Sequence, residues 1–332
     1  MTGATPRAVI FGCAGMRLSP AERALFAQAQ PWGAILFARN IETPAQLVAL
    51  TSELRDAVGR DMPVLIDQEG GRVQRMRPPH WRNWPPALAQ CLHAHDPARA
   101  MYLRGRLIAA ELRSCGLDVN CAPLADIARD ITHPVLHNRC YGTAVDQVVA
   151  HARAMAHGLM AGGVLPVIKH IPGHGRAQAD SHLDLPVVSA AHADLAQSDF
   201  AAFRALADLP LGMTAHVLFS QLDAKLPATL SPTMIRLIRK EIGFQGLLMT
   251  DDISMHALNG PVAERGRAAL AAGCDLVLHC NGELHEMAEL AETCPALEGG
   301  ALARSDAALC LRSAPDDCDL AALDAEYAQL RA

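Results

Sequence analysis

The sequence lacks the features that would point to a membrane, a nucleic acid or a disulfide framework. No apolar run in its 332 residues approaches the about 20 that a membrane-spanning helix needs, and the first residues are too polar for a secretory signal. The formal net charge is only −6, with acidic and basic residues interleaved, so bulk charge indicates neither a nucleic-acid nor a membrane partner. The ten cysteines form no Cys-X-X-Cys pair. We therefore expect inert buried thiols in a cytoplasmic protein.

Familiar catalytic signatures are also missing. The sequence contains no GxSxG, no GxxxxGK[ST] and no HExxH, which argues against an α/β-hydrolase, a P-loop enzyme and a zincin. No glycine-rich dinucleotide fingerprint follows the first apolar run. Hydrophobic residues nevertheless make up 51% of the chain, which is enough for a large core.

Short apolar runs alternate with helical patterns along the chain. The runs are continuous, as in parallel strands covered on both faces, and span residues 8–13, 33–37, 63–66, 117–121, 164–168, 211–214, 246–250 and 274–279. Helical patterns with capping or stop residues span 21–30, 44–58, 97–112, 146–160, 191–206, 233–242 and 262–272. This order predicts a (β/α)8 barrel rather than a doubly wound sheet. We expect one catalytic domain over residues 1–332, with 295–332 a C-terminal tail, helical at 305–311 and 320–331, packed on it.

Polar residues gather where the predicted strands end. These residues include Asp67, Glu69, Arg75, Asp126, Lys169, His170, His216, Asp251 and Asp252. A barrel of this kind carries its chemistry at that end of its strands, so the pattern indicates an enzyme. Structural interpretations stay open for some: Asp67 and Glu69 could bond the following turn, Arg75 could be solvated, and His216 could be a satisfied core histidine.

The segment 169–182, KHIPGHGRAQADSH, concentrates titratable groups. Its Pro172–Gly175 portion is too rich in proline and glycine for a helix or a strand interior, which predicts a mobile loop. Asp180 and His182 are two residues apart near its end. A carboxylate beside an imidazole raises the proton affinity of the ring, which suits it to acid/base work near neutral pH.

Two reaction classes fit these residues. In one, a carboxylate such as Asp251 attacks a sugar carbon while another group protonates the departing oxygen. In the other, histidines bind a metal that activates water; the candidate ligands are His170, His174, His182 and His216. The spacing alone leaves open which aspartate attacks and which histidine moves the proton.

Several strings resemble glycoside hydrolase family 3, and specifically its single-domain bacterial β-N-acetylhexosaminidases. They are ILFARN, IDQEGGRVQR, HNRCYG, KHIPGHG followed by DSH, TAHV, GFQGLLMTDDISM and AGCDLVLHCN. The resemblance runs in order over residues 33–281. Two positions depart from the family pattern: Ile171 stands where phenylalanine is usual, and His137 where glycine is common.

The resemblance implies a retaining exo-β-N-acetylglucosaminidase of peptidoglycan recycling. It would remove terminal β-linked N-acetylglucosamine from cell-wall fragments carrying 1,6-anhydro-N-acetylmuramic acid, with no metal or other cofactor. The nucleophile falls on Asp251 and the acid/base on His182, with Asp180 as its dyad partner. The sugar-binding positions fall on Asp67, Arg75, Arg139, Lys169 and His170.

Other functions stay open at this point. A histidine acid/base repels phosphate less than a carboxylate would, so phosphate could replace water and make the protein a phosphorylase. A metal-dependent barrel hydrolase and a sugar-binding barrel without turnover are further alternatives. We expect a small amino-sugar substrate as the partner, a monomer, and no nucleic-acid or membrane contact.

Overall fold

Eight parallel strands close into a barrel in the computed structural model, which describes residues 5–181 and 183–330. The strands are β1 (Arg7–Phe11), β2 (Pro31–Leu36), β3 (Val64–Ile66), β4 (Val119–Asn120), β5 (Leu165–Ile171), β6 (Leu211–Thr214), β7 (Leu247–Asp252) and β8 (Leu276–His279). Each strand pairs with its neighbours in sequence, and β8 pairs with β1, for example Val9 with Val277. The predicted (β/α)8 barrel is confirmed.

Helices surround the barrel. They are α1 (Pro20–Ala29), α2 (Pro44–Val58), α3 (Ala87–His93), α4 (Pro97–Ser114), α5 (Pro134–His137), α6 (Val145–Ala161), α7 (His192–Gln197), α8 (Asp199–Ala205), α9 (Pro232–Leu237), α10 (Val262–Ala272), α11 (Leu284–Thr293), α12 (Gly299–Leu309) and α13 (Leu320–Leu330). A π-helical turn, Ile238–Ile242, continues α9. Among the described residues, no helix is long and apolar enough to cross a membrane.

Local sequence signals explain where several helices begin. Ser19 caps α1 in a reciprocal capping box with Glu22, and Thr43 and Asp96 cap α2 and α4, each followed by proline at the first helical position. These side chains satisfy backbone N–H groups that have no partner inside the helix. Gly59 ends α2 in the left-handed conformation that glycine adopts without steric cost.

The barrel interior and the layer between strands and helices form two separate apolar clusters, because successive strand residues point to opposite sides. The interior is filled by buried side chains that include Ile10, Ile35, Leu65, Val167, Met213, Met249 and Leu278. Their strand neighbours, such as Val9, Leu36 and Ile168, pack against the helices. Each strand is therefore buried on both faces.

The segment after Pro295 closes the amino end of the barrel. Leu297 and Ala308 belong to the interior cluster, and Trp32 at the start of β2 donates from Nε1 to Ser305 Oγ at 2.7 Å. Farther along, Tyr327 on α13 packs edge-on against Trp84 with ring centroids 5.4 Å apart.

Several predicted boundaries were wrong in ways that bear on function. Strands β5 and β7 continue through Ile171 and Asp252, so Lys169, His170 and Asp251 lie within strands rather than just after the predicted ends at 168 and 250. The helix predicted over 191–206 is two helices that meet at Ser198. The Ser198 hydroxyl donates to Asp194 O at 2.6 Å, and such a side-chain bond competes with the regular backbone hydrogen bonds of a helix.

Candidate active site

Asp67 follows β3 and lies between two cations. Its Oδ1 accepts a hydrogen bond from Lys169 Nζ at 2.9 Å, and its Oδ2 accepts one from Arg75 Nη2 at 3.0 Å. Burial acts to raise the pKa of the Asp67 carboxyl, but Lys169 and Arg75 outweigh it and hold this pKa well below the ordinary value. Asp67 is therefore a fixed carboxylate at the strand end.

Glu69 makes a second ion-pair group beside the first. Its Oε1 lies 2.7 Å from Lys169 Nζ, and both of its oxygens accept from Arg139, at 2.8 and 2.9 Å. Burial alone would raise the pKa of Glu69, but Arg139 and Lys169 lower it. The same pairs raise the pKa values of Lys169 and Arg139 against the effect of burial. Lys169 thus joins two carboxylates in one charged network.

Asp126 orients the end of β5. Its Oδ2 lies 2.7 Å from His170 Nδ1, and its Oδ1 accepts the backbone N–H of His174 at 2.6 Å. Burial opposes ionisation of Asp126, yet His170 and the His174 backbone keep its pKa below the ordinary value. This contact orients the His170 imidazole ring, because one of its two nitrogens is held by the carboxylate.

Asp251 lies near the end of β7, with its Oδ1 accepting the backbone N–H of Asp252 at 2.8 Å. Burial acts to raise the pKa of Asp251, whereas His170, His216 and this N–H lower it, and the net shift is downward. The neighbouring Asp252 carboxylate instead accepts from Ser254 N, Ser254 Oγ and Cys280 N. Of the two aspartates, Asp252 is engaged in supporting the turn.

His216 lies beside Asp251 and is a supported buried histidine. Its Nδ1 lies 2.8 Å from Thr229 Oγ1 and its Nε2 lies 3.0 Å from Asp252 O. Burial lowers the pKa of His216, which favours the neutral ring. These contacts favour the interpretation of His216 as a core histidine whose hydrogen bonds are satisfied within the protein.

The segment after β5 is packed in its first half. Residues 171–175 are buried, and a side-chain Cβ at Gly175 would collide with the Ile127 backbone, so this portion is closely packed. His174 Nε2 lies 3.3 Å from the hydroxyl of buried Ser181, and burial lowers the pKa of His174 to about 4. Asp180 adjoins Ser181, whereas His182 lies outside the described residues. Mobility of the second half stays a prediction.

One pocket of about 200 Å³ at the carboxyl ends of the strands brings the predicted residues together. Its lining includes Asp67, Arg72, Arg75, Arg139, Lys169, His170, His174, Asp180, Ser181 and Asp251. Ile35, Met213 and Leu278 also line it, and all three belong to the apolar cluster that fills the barrel interior. Five sugar-binding candidates and two catalytic candidates therefore share one cavity.

Three residues that support this pocket were not among the predicted catalytic or sugar-binding residues. Glu69 pairs with Arg139 and Lys169, Asp126 holds His170 and His174, and Ser181 contacts His174. The sequence placed Glu69 and Asp126 at predicted strand ends, but that position does not indicate which side chains they pair with. Ser181 carried no signal beyond its place between Asp180 and His182.

The histidines considered as metal ligands all have protein partners where the structure describes them. His170 pairs with Asp126, His174 contacts Ser181, and His216 contacts Thr229. Over residues 5–181 and 183–330, no three histidine, cysteine or acidic side chains are grouped so that they could hold an ion.

Sequence comparison places the chain in a family. Residues 9–307 match the model of the glycosyl hydrolase family 3 N-terminal domain. A β-hexosaminidase from Alkalilimnicola ehrlichii is 40% identical over 281 residues, covering 82% of this chain and 80% of that protein. A β-hexosaminidase from Bordetella avium is 37% identical over 286 residues, covering 83% and 81%. The chain belongs to glycosyl hydrolase family 3.

Solved structures agree with this placement. NagZ from Neisseria gonorrhoeae in complex with N-trifluoroacetyl-D-glucosamine superimposes with a TM-score of 0.87 at 28% identity, covering 100% of this chain and 99% of that one. The family 3 β-N-acetylglucosaminidase from Paenibacillus sp. str. FPU-7 gives 0.81 at 31% identity, covering 97% of this chain. This chain spans 61% of the length of the Paenibacillus enzyme.

Proposed function

We propose that this protein is a retaining exo-β-N-acetylglucosaminidase acting on peptidoglycan fragments that carry 1,6-anhydro-N-acetylmuramic acid. Its relatives make it a glycoside hydrolase of the β-N-acetylhexosaminidase type; the substrate and the mechanism are what we propose. The observation that carries the mechanism is the position of Asp251, which lies on a strand and lines the same pocket as the paired Asp67, Arg139 and Lys169.

We propose that the pocket binds a terminal sugar. Apolar side chains of the barrel, Ile35, Met213 and Leu278, line the pocket together with the charged groups. A chain-internal sugar would need an exit on both sides, whereas a terminal sugar needs only one opening. We propose that Asp67, Arg75, Arg139, Lys169 and His170 bind its hydroxyl groups, because paired charges on strand ends give fixed donors and acceptors.

The first chemical step forms a covalent intermediate. A carboxylate oxygen of Asp251 attacks the anomeric carbon, the bond from that carbon to the leaving oxygen breaks, and His182 gives its proton to that oxygen. Asp180 stabilises the imidazolium before the transfer. The lowered pKa of Asp251 keeps the attacking group ionised.

The second step returns the enzyme to its starting state. Water attacks the anomeric carbon, His182 takes a proton from that water, and the bond between Asp251 and the sugar breaks. Two inversions at one carbon retain the β-configuration. Each group ends in the protonation state in which it began.

Trapping the intermediate tests the proposed function. A slow fluorinated N-acetylglucosaminyl donor should inactivate the enzyme with one label per chain, and peptide mapping should place that label on Asp251. A label on another residue would overturn the nucleophile assignment. Turnover in phosphate buffer that releases a sugar 1-phosphate would identify a phosphorylase instead of a hydrolase.

Changing His182 to alanine tests the acid/base. We expect kcat/KM to fall by about 10²–10⁴-fold with a poor aryl leaving group and by much less with 4-nitrophenyl, whose departure needs little protonation. Asp180→Asn should show the same trend with smaller losses, since the ring remains. The measurement is kcat/KM against leaving-group pKa for each variant. Equal losses across the series would contradict the acid role.

The remaining sequence predictions are part of the same proposal. We propose that residues 1–332 act as one catalytic domain and as a monomer, with 295–332 as its packed tail. We also propose a cytoplasmic location, where recycled cell-wall fragments are processed, and no need for a metal or other cofactor. Full activity after exhaustive chelation would support the last point.

A further inference from the structure

We propose that Arg72 binds a carboxylate carried by the leaving group and so makes the enzyme selective for anionic leaving groups. This inference rests on the proposed function, because it concerns the part of the substrate that departs. Arg72 is exposed and lines the pocket, so its guanidinium lies at the opening rather than at the base. A terminal sugar inside the pocket places its leaving group at that opening.

A small rigid hairpin presents Arg72. The strands Gln68–Gly70 and Val73–Gln74 pair antiparallel. Gly70 ends the first strand and Gly71 begins the turn, at φ values of 107° and 58°. Glycine adopts these angles without the strain that other residues would incur. Arg72 follows directly in this turn, so its backbone position is determined by the hairpin.

Buried side chains anchor the hairpin. Gln68 Oε1 accepts from the backbone of Arg75 and Met76 at 3.0 and 3.1 Å, and Gln74 Oε1 accepts from Trp84 N at 3.0 Å. Gly71 N donates to Trp84 O at 2.8 Å. Both glutamines are buried and hydrogen-bonded, so they hold the two strands of the hairpin that carries the Arg72 backbone.

The cationic side chains that line the pocket differ in whether they pair with a carboxylate. Arg75 pairs with Asp67, Arg139 pairs with Glu69, and Lys169 pairs with both carboxylates. Within the described part of the chain, no carboxylate lies within ion-pair distance of Arg72. Of the arginines and the lysine that line the pocket, Arg72 is the one whose charge no described carboxylate compensates.

An unmatched guanidinium at a fixed position suits a carboxylate. Its planar fork of N–H donors matches the two oxygens of a carboxylate, and the pair gains from charge assistance. A muramic-type leaving group that bears no stem peptide carries a free lactyl carboxylate. We infer that Arg72 contacts this carboxylate and that a neutral leaving group lacks the ion pair.

The test compares two disaccharides in which N-acetylglucosamine is β-1,4-linked to N-acetylmuramic acid, one with the free lactyl carboxylate and one with the lactyl amide. We expect Arg72→Gln to reduce the acid-to-amide ratio of kcat/KM by about 5–10-fold, as for a charge-assisted pair at a partly exposed position. Arg72→Lys should keep part of the ratio. Arg267→Gln, at an exposed arginine that does not line the pocket, is the matched control for net charge and should leave the ratio unchanged.

Salt gives a second measurement. Added NaCl should lower the acid-to-amide ratio of the parent enzyme and leave that of Arg72→Gln nearly constant, because screening weakens an exposed ion pair. An unchanged ratio in Arg72→Gln, or equal loss with both disaccharides, would overturn the inference while the hydrolase assignment stood. Failure of the parent enzyme to cleave either disaccharide would instead count against the proposed function.

Discussion

Replacing Asp251 by alanine is expected to reduce kcat/KM toward an aryl N-acetyl-β-glucosaminide by on the order of 10⁴-fold or more. Losses of this size follow when the nucleophile of a covalent mechanism is removed. The substitution should leave the fold intact, because the only side-chain bond of Asp251 in the described structure is to the adjacent backbone N–H. Circular dichroism and the free energy of unfolding should be close to those of the parent.

Two further measurements make this prediction specific. Azide should restore turnover in Asp251→Ala and yield a glycosyl azide of inverted configuration, since the cavity admits a small nucleophile on the side where the carboxylate stood. Asp252→Asn is the matched control: it keeps an oxygen that can accept from Ser254 and Cys280, so its loss should be far smaller. A larger loss in Asp252→Asn than in Asp251→Ala would reverse the assignment.

Replacing Lys169 by methionine is expected to destabilise the protein by about 3–5 kcal/mol at pH 7. Lys169 is 2% exposed and lies within ion-pair distance of both Asp67 and Glu69. Methionine fills much of the volume but leaves two carboxylates partly uncompensated, and breaking a buried pair from one side has this cost. Urea denaturation measures the change, with Lys240→Met, on an exposed lysine, as the control.

The deficit of Lys169→Met should depend on pH. In the parent, the lowered pKa values of Asp67 and Glu69 contribute stability above their unfolded values of about 4, and this is lost as the pH falls through the lower folded values. Without Lys169, Arg75 and Arg139 alone oppose the effect of burial, so the pKa values of Asp67 and Glu69 rise relative to the parent and protonation costs the variant less. The difference in unfolding free energy should therefore shrink from about pH 5 to pH 3. A difference independent of pH would show that lost packing, not charge, is responsible.

The architecture could be predicted because its signals are local. Continuous apolar runs mark strands that are buried on both sides. Helix limits have equally local signals: α2 begins after Thr43 at Pro44 and ends with Gly59 as its C-cap. Where tertiary contacts override such signals, prediction was wrong. The strand after 164 continues through Ile171 because Ile171 pairs with Thr214 on β6, a contact that no local pattern contains.

The sequence by itself determined which chemical groups stand at the carboxyl ends of the strands, because strand ends are read from hydrophobic periodicity. Only the tertiary structure decided how those groups pair: Lys169 with Asp67 across 102 residues, Arg139 with Glu69 across 70, and His170 with Asp126 across 44. The physical reason is that ion pairing depends on distances of about 3 Å between side chains. Barrel closure sets those distances, and it also leaves Arg72 at the pocket opening without a partner among the described residues.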